Sequence, residues 1–171
     1  MVGQIKIAFG GGCHWCTEAV FQSLKGVNKV EQGYVSSINE NSTFSEAVIV
    51  HFNREIISQE TLVEIHLNTH NSSSNHSMRD KYRSAVYTFS DTQYKEVYNT
   101  LNKFQNQYNG KLVTKVYPFS EFKASRKAIL NYYQKNYDKP FCERFINPKL
   151  ELLLNQFTNQ VNKDFIITAE K

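Results

Sequence analysis

The chain has 171 residues, enough for one domain that buries roughly two-thirds of its unfolded surface without covalent staples. Its 20 basic and 16 acidic side chains leave a charge of +4 scattered along the sequence, a pattern that implies no nucleic-acid partner. No apolar run approaches the ~20 residues of a membrane helix, nothing at the start reads as a signal peptide, and three cysteines make an odd count for a disulfide framework. A monomeric cytoplasmic protein with free thiols is therefore expected.

Residues 5–9 form an apolar run that reads as a strand, and residues 18–24 have helical spacing. Between them lies Gly10-Gly11-Gly12-Cys13-His14-Trp15-Cys16. This puts Cys13 where a helix begins, and unpaired backbone N–H groups with the positive end of the helix dipole stabilise a thiolate there. The three glycines are expected to turn the chain tightly and to leave open space above the sulfur. Residues 27–35 alternate well enough for a strand, residues 36–45 are polar and turn-rich, and residues 46–52 are the strongest strand signal in the chain. Ser58 caps a helix carrying Thr61, Leu62, Ile65 and His66, followed by a polar loop over 71–76 and a strand over 82–89. Ser90-Asp91 opens a helix that runs to about Tyr108 and is ended by Asn109-Gly110. Residues 112–117 read as a strand, 120–137 as a helix by pattern, and 148–161 as a terminal helix within a helical tail over 151–171. No repeat or internal boundary is visible, so residues 1–171 are expected to form one α+β domain with a small mixed sheet covered by helices.

Two cysteines three apart on a first helical turn face the same way, so they can share a metal or close a disulfide. A structural zinc would need about four ligands, and the remaining donors are Cys142 and the histidines at 14, 51, 66, 70 and 76. No second paired-ligand motif is present, and neither metal nor organic cofactor is expected. A thioredoxin-like exchanger also carries Cys-x-x-Cys at a helix start. Only 12 residues precede Cys13, room for one strand where that fold places more, and the first proline is Pro118. The remaining reading is an enzyme in which Cys13 attacks a substrate and a later cysteine resolves the product.

Gly12-Cys13-His14-Trp15-Cys16-Thr17-Glu18, with Val20-Phe21 and Leu24-Lys25-Gly26-Val27, resembles the A-type peptide methionine sulfoxide reductases, whose hallmark is Gly-Cys-Phe-Trp followed by Glu and a Leu-x-Gly-Val turn. Gly33-Tyr34, Ser45-Glu46-Ala47-Val48, Tyr82-Arg83-Ser84-Ala85-Val86-Tyr87, Pro140-Phe141-Cys142 and Ile146-Asn147-Pro148-Lys149-Leu150 are similar to further family segments, in order, over about residues 5 to 150.

The resemblance implies a ferredoxin-like two-layer sandwich and reduction of the S-epimer of methionine sulfoxide, free or in proteins. It assigns Cys13 as the attacking thiolate, which becomes a sulfenic acid as methionine leaves. Glu46, at the head of an apolar strand and expected to be partly desolvated, becomes the proton donor. Tyr34 and Tyr82 become hydroxyls that polarise the sulfoxide oxygen. Trp15 lines the pocket for the S-methyl group, beside His14, which stands where the family usually has phenylalanine and could also act on Cys13 through its charge. The family aspartate five residues before Tyr82 is replaced by Ser77, so Ser77 or Asp80 is expected to supply its hydrogen bond. Cys16, one turn from Cys13, is the first choice as resolving thiol, with Cys142 on a terminal segment as the other or as a relay. The implied partner is a thioredoxin-type reductant.

Overall fold

A computed structural model describes residues 3–166 and gives six strands and five helices among them: β1 Gln4–Gly10, α1 His14–Gln22, β2 Val27–Ser36, β3 Ser45–Asn53, α2 Gln59–Asn68, β4 Ala85–Thr88, α3 Asp91–Gln107, β5 Lys115–Pro118, β6 Glu121–Ala124, α4 Tyr132–Asn136 and α5 Asn147–Gln156. The strands make one sheet in the order β5-β4-β1-β3-β2-β6. Its central four strands follow the split β-α-β plan of a ferredoxin-like fold: β1 lies antiparallel between β3 and β4, and β2 pairs antiparallel with β3. α3 then returns the chain to add β5 parallel to β4, and β6 adds antiparallel to β2. The architecture is thus α+β with a mixed sheet, as the resemblance implied.

Alternation along the strands builds two cores. Ile7 and Phe9 of β1 and Val48, Val50 and Phe52 of β3 face the helices, where Ala19, Val20 and Phe21 of α1, Leu62, Val63 and Ile65 of α2, and Val97, Leu101 and Phe104 of α3 complete the larger core. Ala8, Val35, Ala47, Ile49, Ala85 and Tyr87 face the other side and are covered by Phe89, Tyr117, Phe119 and Phe122. Glu46 precedes Ala47 by one residue, so the alternation turns its side chain toward α1, and Tyr34 is its direct cross-strand partner in β2. Ser58 and Ser90 cap α2 and α3 by accepting the Thr61 and Gln93 backbone N–H groups, as expected.

Two expectations are corrected. Residues 120–137 do not form one helix: residues 121–124 are β6, a 3-10 turn follows at Lys127–Ile129, and only Tyr132–Asn136 is α-helical. Residues 123–130 are good helix formers in isolation, but the open edge of β2 recruits residues 121–124 into a ladder, continued by the Ser125 N–H donating to Gln32 O. Asn131 at φ +56° then separates the 3-10 turn from α4. The expected terminal helix ends at Gln156; Leu24 bridges Val161, and the Lys25 N–H donates to Gln160 O, tying the end of the chain to the end of α1. Residues 167–171 of the expected helical tail lie outside the described residues. Among those residues, no helix is long and apolar enough to cross a membrane.

Candidate active site

The glycine run divides its labour. Gly10 closes β1 between the β3 and β4 backbones, where a Cβ would stand 2.9 Å from Glu46 O and 3.0 Å from Arg83 O. Gly11 takes φ +148°, and a Cβ there would lie 2.5 Å from the His70 ring. Only Gly12 has open space around it, so the expected clearance above the sulfur is confined to that residue. The loop is gripped from below: His66 Nε2 donates to Gly10 O at 2.7 Å and Arg79 Nη1 donates to Gly11 O at 2.8 Å.

Cys13 is the N-cap of α1, and its carbonyl accepts the Cys16 and Thr17 backbone N–H groups at 3.1 and 3.2 Å. Its thiol is held below the ordinary range, chiefly by the Cys16 thiol donating to its sulfur and also by the Trp15 and Cys16 backbone N–H groups; burial and the nearby Glu46 act in the opposite direction. Cys16 is buried, and its thiol is pushed far up, first by donating that hydrogen bond and then by burial. Cys142 is fully buried on a π-helical turn, Cys142–Ile146, that packs on α1. Burial raises its thiol too, and it lies within electrostatic reach of Cys16.

On one side of Cys13, Glu46 is 6% exposed. Its Oε1 accepts the His14 backbone N–H at 3.1 Å and stands 3.4 Å from His14 Nε2, while Oε2 is 3.7 Å from the exposed ammonium of Lys81. The loop that carries Tyr82 is stitched to the head of β3: the Glu46 N–H and the Ser45 hydroxyl both donate to Lys81 O, and Ser45 Oγ accepts the Arg83 N–H. Tyr82 follows Lys81, whose ammonium sits 5.1 Å from the Tyr82 ring centroid. Tyr34 meets the His14 ring edge-on at 5.2 Å. The fold therefore gathers Cys13, Glu46, Tyr34 and Tyr82 at one end of the sheet. His14, expected beside the substrate pocket, instead points its ring down onto Glu46 and β2.

On the other side, Trp15 stacks on Tyr132 at 4.1 Å and 6°, with Phe141 edge-on at 5.1 Å. Cys13 packs against the same core as Tyr132 and Phe141. Trp15, Tyr132 and Phe141 thus form one aromatic cluster beside Cys13. Glu18 secures it from within α1: buried, it accepts the Asn131 and Tyr132 backbone N–H groups at 3.0 and 3.1 Å, which fixes the start of α4. Burial raises the Glu18 carboxyl, and those hydrogen bonds oppose it.

Ser77 and Asp80, the two expected stand-ins for the missing aspartate, are exposed, and among the described residues neither makes a side-chain hydrogen bond. Arg79, between them, donates to Gly11 O, Tyr82 O, Ser74 O and Asn71 O and so bridges the two loops of the site. Lys149 at the start of α5 was not singled out either. Its half-buried ammonium donates to Thr69 O and faces the two thiols of α1; burial lowers it, and thiolates at Cys16 and Cys13 would hold it up. Arg79 carried a sequence signal, as a long cation beside Tyr82 in a loop of short polar residues. Tyr132 carried none, being read as one position in a helix.

The peptide methionine sulfoxide reductase family model matches residues 5–162. The chain belongs to this family. A relative named peptide methionine sulfoxide reductase MsrA, from Psychrobacter sp. (strain PRwf-1), is 34% identical over 173 residues, covering 92% of this chain and 98% of the relative. Among solved structures, Mxr1 from Saccharomyces cerevisiae in reduced form superposes with a TM-score of 0.71 at 22% identity, over 82% of this chain and 90% of that one. Mxr1 in complex with Trx2 superposes at 0.61 and 20% identity, over 73% of this chain and 83% of that one. These likenesses bear out the fold, while the family match bears out a peptide methionine sulfoxide reductase and sets aside the thioredoxin-like exchanger. Among the described residues no group of three or more histidine, cysteine or acidic side chains is placed to hold a metal ion.

Proposed function

We propose that this reductase acts on the S-epimer of methionine sulfoxide, in proteins or free, with Cys13 as nucleophile and Glu46 as proton donor. The observation that carries the reading is the place of Cys13 at the N-cap of α1, partly open and beside the buried Glu46, with Cys16 buried one turn further on. The Cys13 thiolate attacks the sulfoxide sulfur while the oxygen takes a proton from Glu46. Methionine leaves reduced, and Cys13 is oxidised to a sulfenic acid. Tyr34 and Tyr82, gathered beside Glu46, hold the oxygen through their hydroxyls, and the Trp15, Tyr132 and Phe141 wall receives the S-methyl group.

Cys16 then attacks the sulfenic sulfur, the Cys13–Cys16 disulfide forms, and the hydroxyl departs as water with the proton that Cys16 gives up. Cys16 is favoured because it lies one turn from Cys13 on the same helix start, whereas Cys142 is enclosed in its π-helical turn. A thioredoxin-type dithiol would return the protein to its reduced form; the Mxr1–Trx2 complex on the same fold supports this partner. The chemistry requires a compartment that supplies such a dithiol, which favours the cytoplasm, and a monomer completes the site from its own residues.

The test compares the parent protein with Cys13→Ser, Cys16→Ser and Cys142→Ser on each sulfoxide epimer. Cys13→Ser should abolish reduction with dithiothreitol. Cys16→Ser should keep one turnover and lose cycling with thioredoxin, while Cys142→Ser should cycle nearly as the parent does. Reduction by Cys13→Ser, or cycling lost only in Cys142→Ser, would overturn the assignments.

A further inference from the structure

The departure at His14 places a second protonatable group directly against the acid. His14 is the first residue of α1 and is 4% exposed. Its Nδ1 lies 2.8 Å from Gly33 O. A carbonyl oxygen only accepts, so Nδ1 carries hydrogen in either charge state, and Nε2 is the nitrogen that gains or loses a proton. Nε2 faces Glu46 Oε1 at 3.4 Å, within ion-pair range. The same Oε1 accepts the His14 backbone N–H, and the exposed Lys81 ammonium stands 3.7 Å from Oε2.

The other groups around the pair are few. The Cys13 thiolate acts on Glu46 from the start of α1, Tyr34 lies across β2 with its ring against His14, and Tyr82 adjoins Lys81 on the loop before β4. Carboxylic acid with neutral imidazole, and carboxylate with imidazolium, then differ by one proton that crosses this ion-pair contact once Nε2 and Oε1 close to hydrogen-bond distance.

We propose that His14 stores the proton that Glu46 delivers, as a positioning residue acting through Glu46, and so keeps the acid step running at pH values where a lone carboxyl would be ionised. This rests on the reductase reading above. In the step, the proton passes from Nε2 through Oε1 to the sulfoxide oxygen as Cys13 attacks. The S–O bond of the substrate breaks, Cys13 is oxidised to the sulfenic acid, methionine is released, and carboxylate with neutral imidazole remains. The second proton on the departing oxygen comes from Cys16, so the pair supplies one proton per turnover. A group of this kind serves best when it titrates near the working pH, which is the property imidazole brings to a site otherwise built on a carboxyl.

His14→Phe restores the residue of the resembled motif and should fold. Single-turnover methionine formation is followed against pH for the parent and His14→Phe. The expected result is agreement within about threefold near pH 5.5 and a deficit of about tenfold or more near pH 8, within the range that general acid catalysis contributes. Superimposable profiles, or a loss by the same factor at every pH, would overturn the proposal, the latter marking a purely structural role. Nitrogen-15 histidine spectra supply a readout independent of turnover: His14 should hold its hydrogen on Nδ1, toward Gly33 O, and Glu46→Gln should change the Nε2 signal. An Nε2–H tautomer, or an Nε2 signal indifferent to Glu46→Gln, would also overturn it. A parent protein without sulfoxide reductase activity would instead overturn the reductase reading, and the spectra would still decide the pairing.

Discussion

At the scale of single residues, Cys13 and Cys16 differ in environment. Cys13 stays partly open, held below the ordinary thiol range by the neighbouring Cys16 thiol and two helix-start N–H groups, whereas Cys16 is buried and pushed up. The arrangement predicts that Cys16→Ala, which removes the donor, slows alkylation of Cys13 by iodoacetamide at neutral pH by roughly threefold to tenfold, because less of it is thiolate. An unchanged rate would show that the backbone N–H groups alone set its reactivity. The buried Cys142 should be alkylated far more slowly than Cys13 in the folded parent, which peptide mapping resolves in the same experiment. Trp15 shows the limit of naming a residue from a motif: its role as a wall depends on Tyr132 and Phe141, which arrive from the far end of the chain.

At the scale of elements, the junction from β1 to α1 is a loop with no slack. Gly11→Ala would have to fit a Cβ at φ +148° against the ring of His70, and Gly12→Ala meets open space. Gly11→Ala should therefore cost about 2 kcal/mol or more, and Gly12→Ala less than about 1 kcal/mol, in urea unfolding. Equal losses would mean that the His70 ring gives way. The same scale explains the misread segment over 120–137. Helix propensity there is real, but a strand edge with unpaired N–H and C=O groups offers residues 121–124 a better partner, and Phe122 reaches the second core only from the sheet.

At the scale of the molecule, a stacked histidine pair, His66 buried and His70 half-buried, ties the site to the scaffold. His66 and His70 stack at 4.1 Å; His66 donates to Gly10 O, and His70 donates from Nδ1 to His66 O and accepts at Nε2 from Ser84, which Thr114 supports. Burial drives both below the ordinary histidine range, His70 to about 3, with nearby Arg79 and Lys149 adding to the effect. Both are neutral in the folded protein at neutral pH. The unfolded chain binds more protons below about pH 6.5, so stability should be full above that pH and fall as pH drops toward 3, by at most about 1.4 kcal/mol per unit for each histidine. Unfolding stability should thus drop by roughly 2 to 4 kcal/mol between about pH 6.5 and 5. Urea midpoints that stay level or rise over that interval would contradict it.

The sequence by itself determined the elements that local chemistry specifies: the alternating strands 5–9 and 46–52, the serine-capped helices after Ser58 and Ser90, and a cysteine at a helix start. Those follow from periodicity and from backbone groups within a few residues of one another, and the motif order added the family. Only the tertiary structure decided the rest. It left Ser77 and Asp80 exposed and made Arg79 a bridge to Gly11, brought Tyr132 and Phe141 to Trp15, and set the His14 ring against Glu46. Each of those outcomes depends on which groups from distant segments compete for the same few ångströms of space and the same unpaired donors, and that competition leaves no local pattern in the chain.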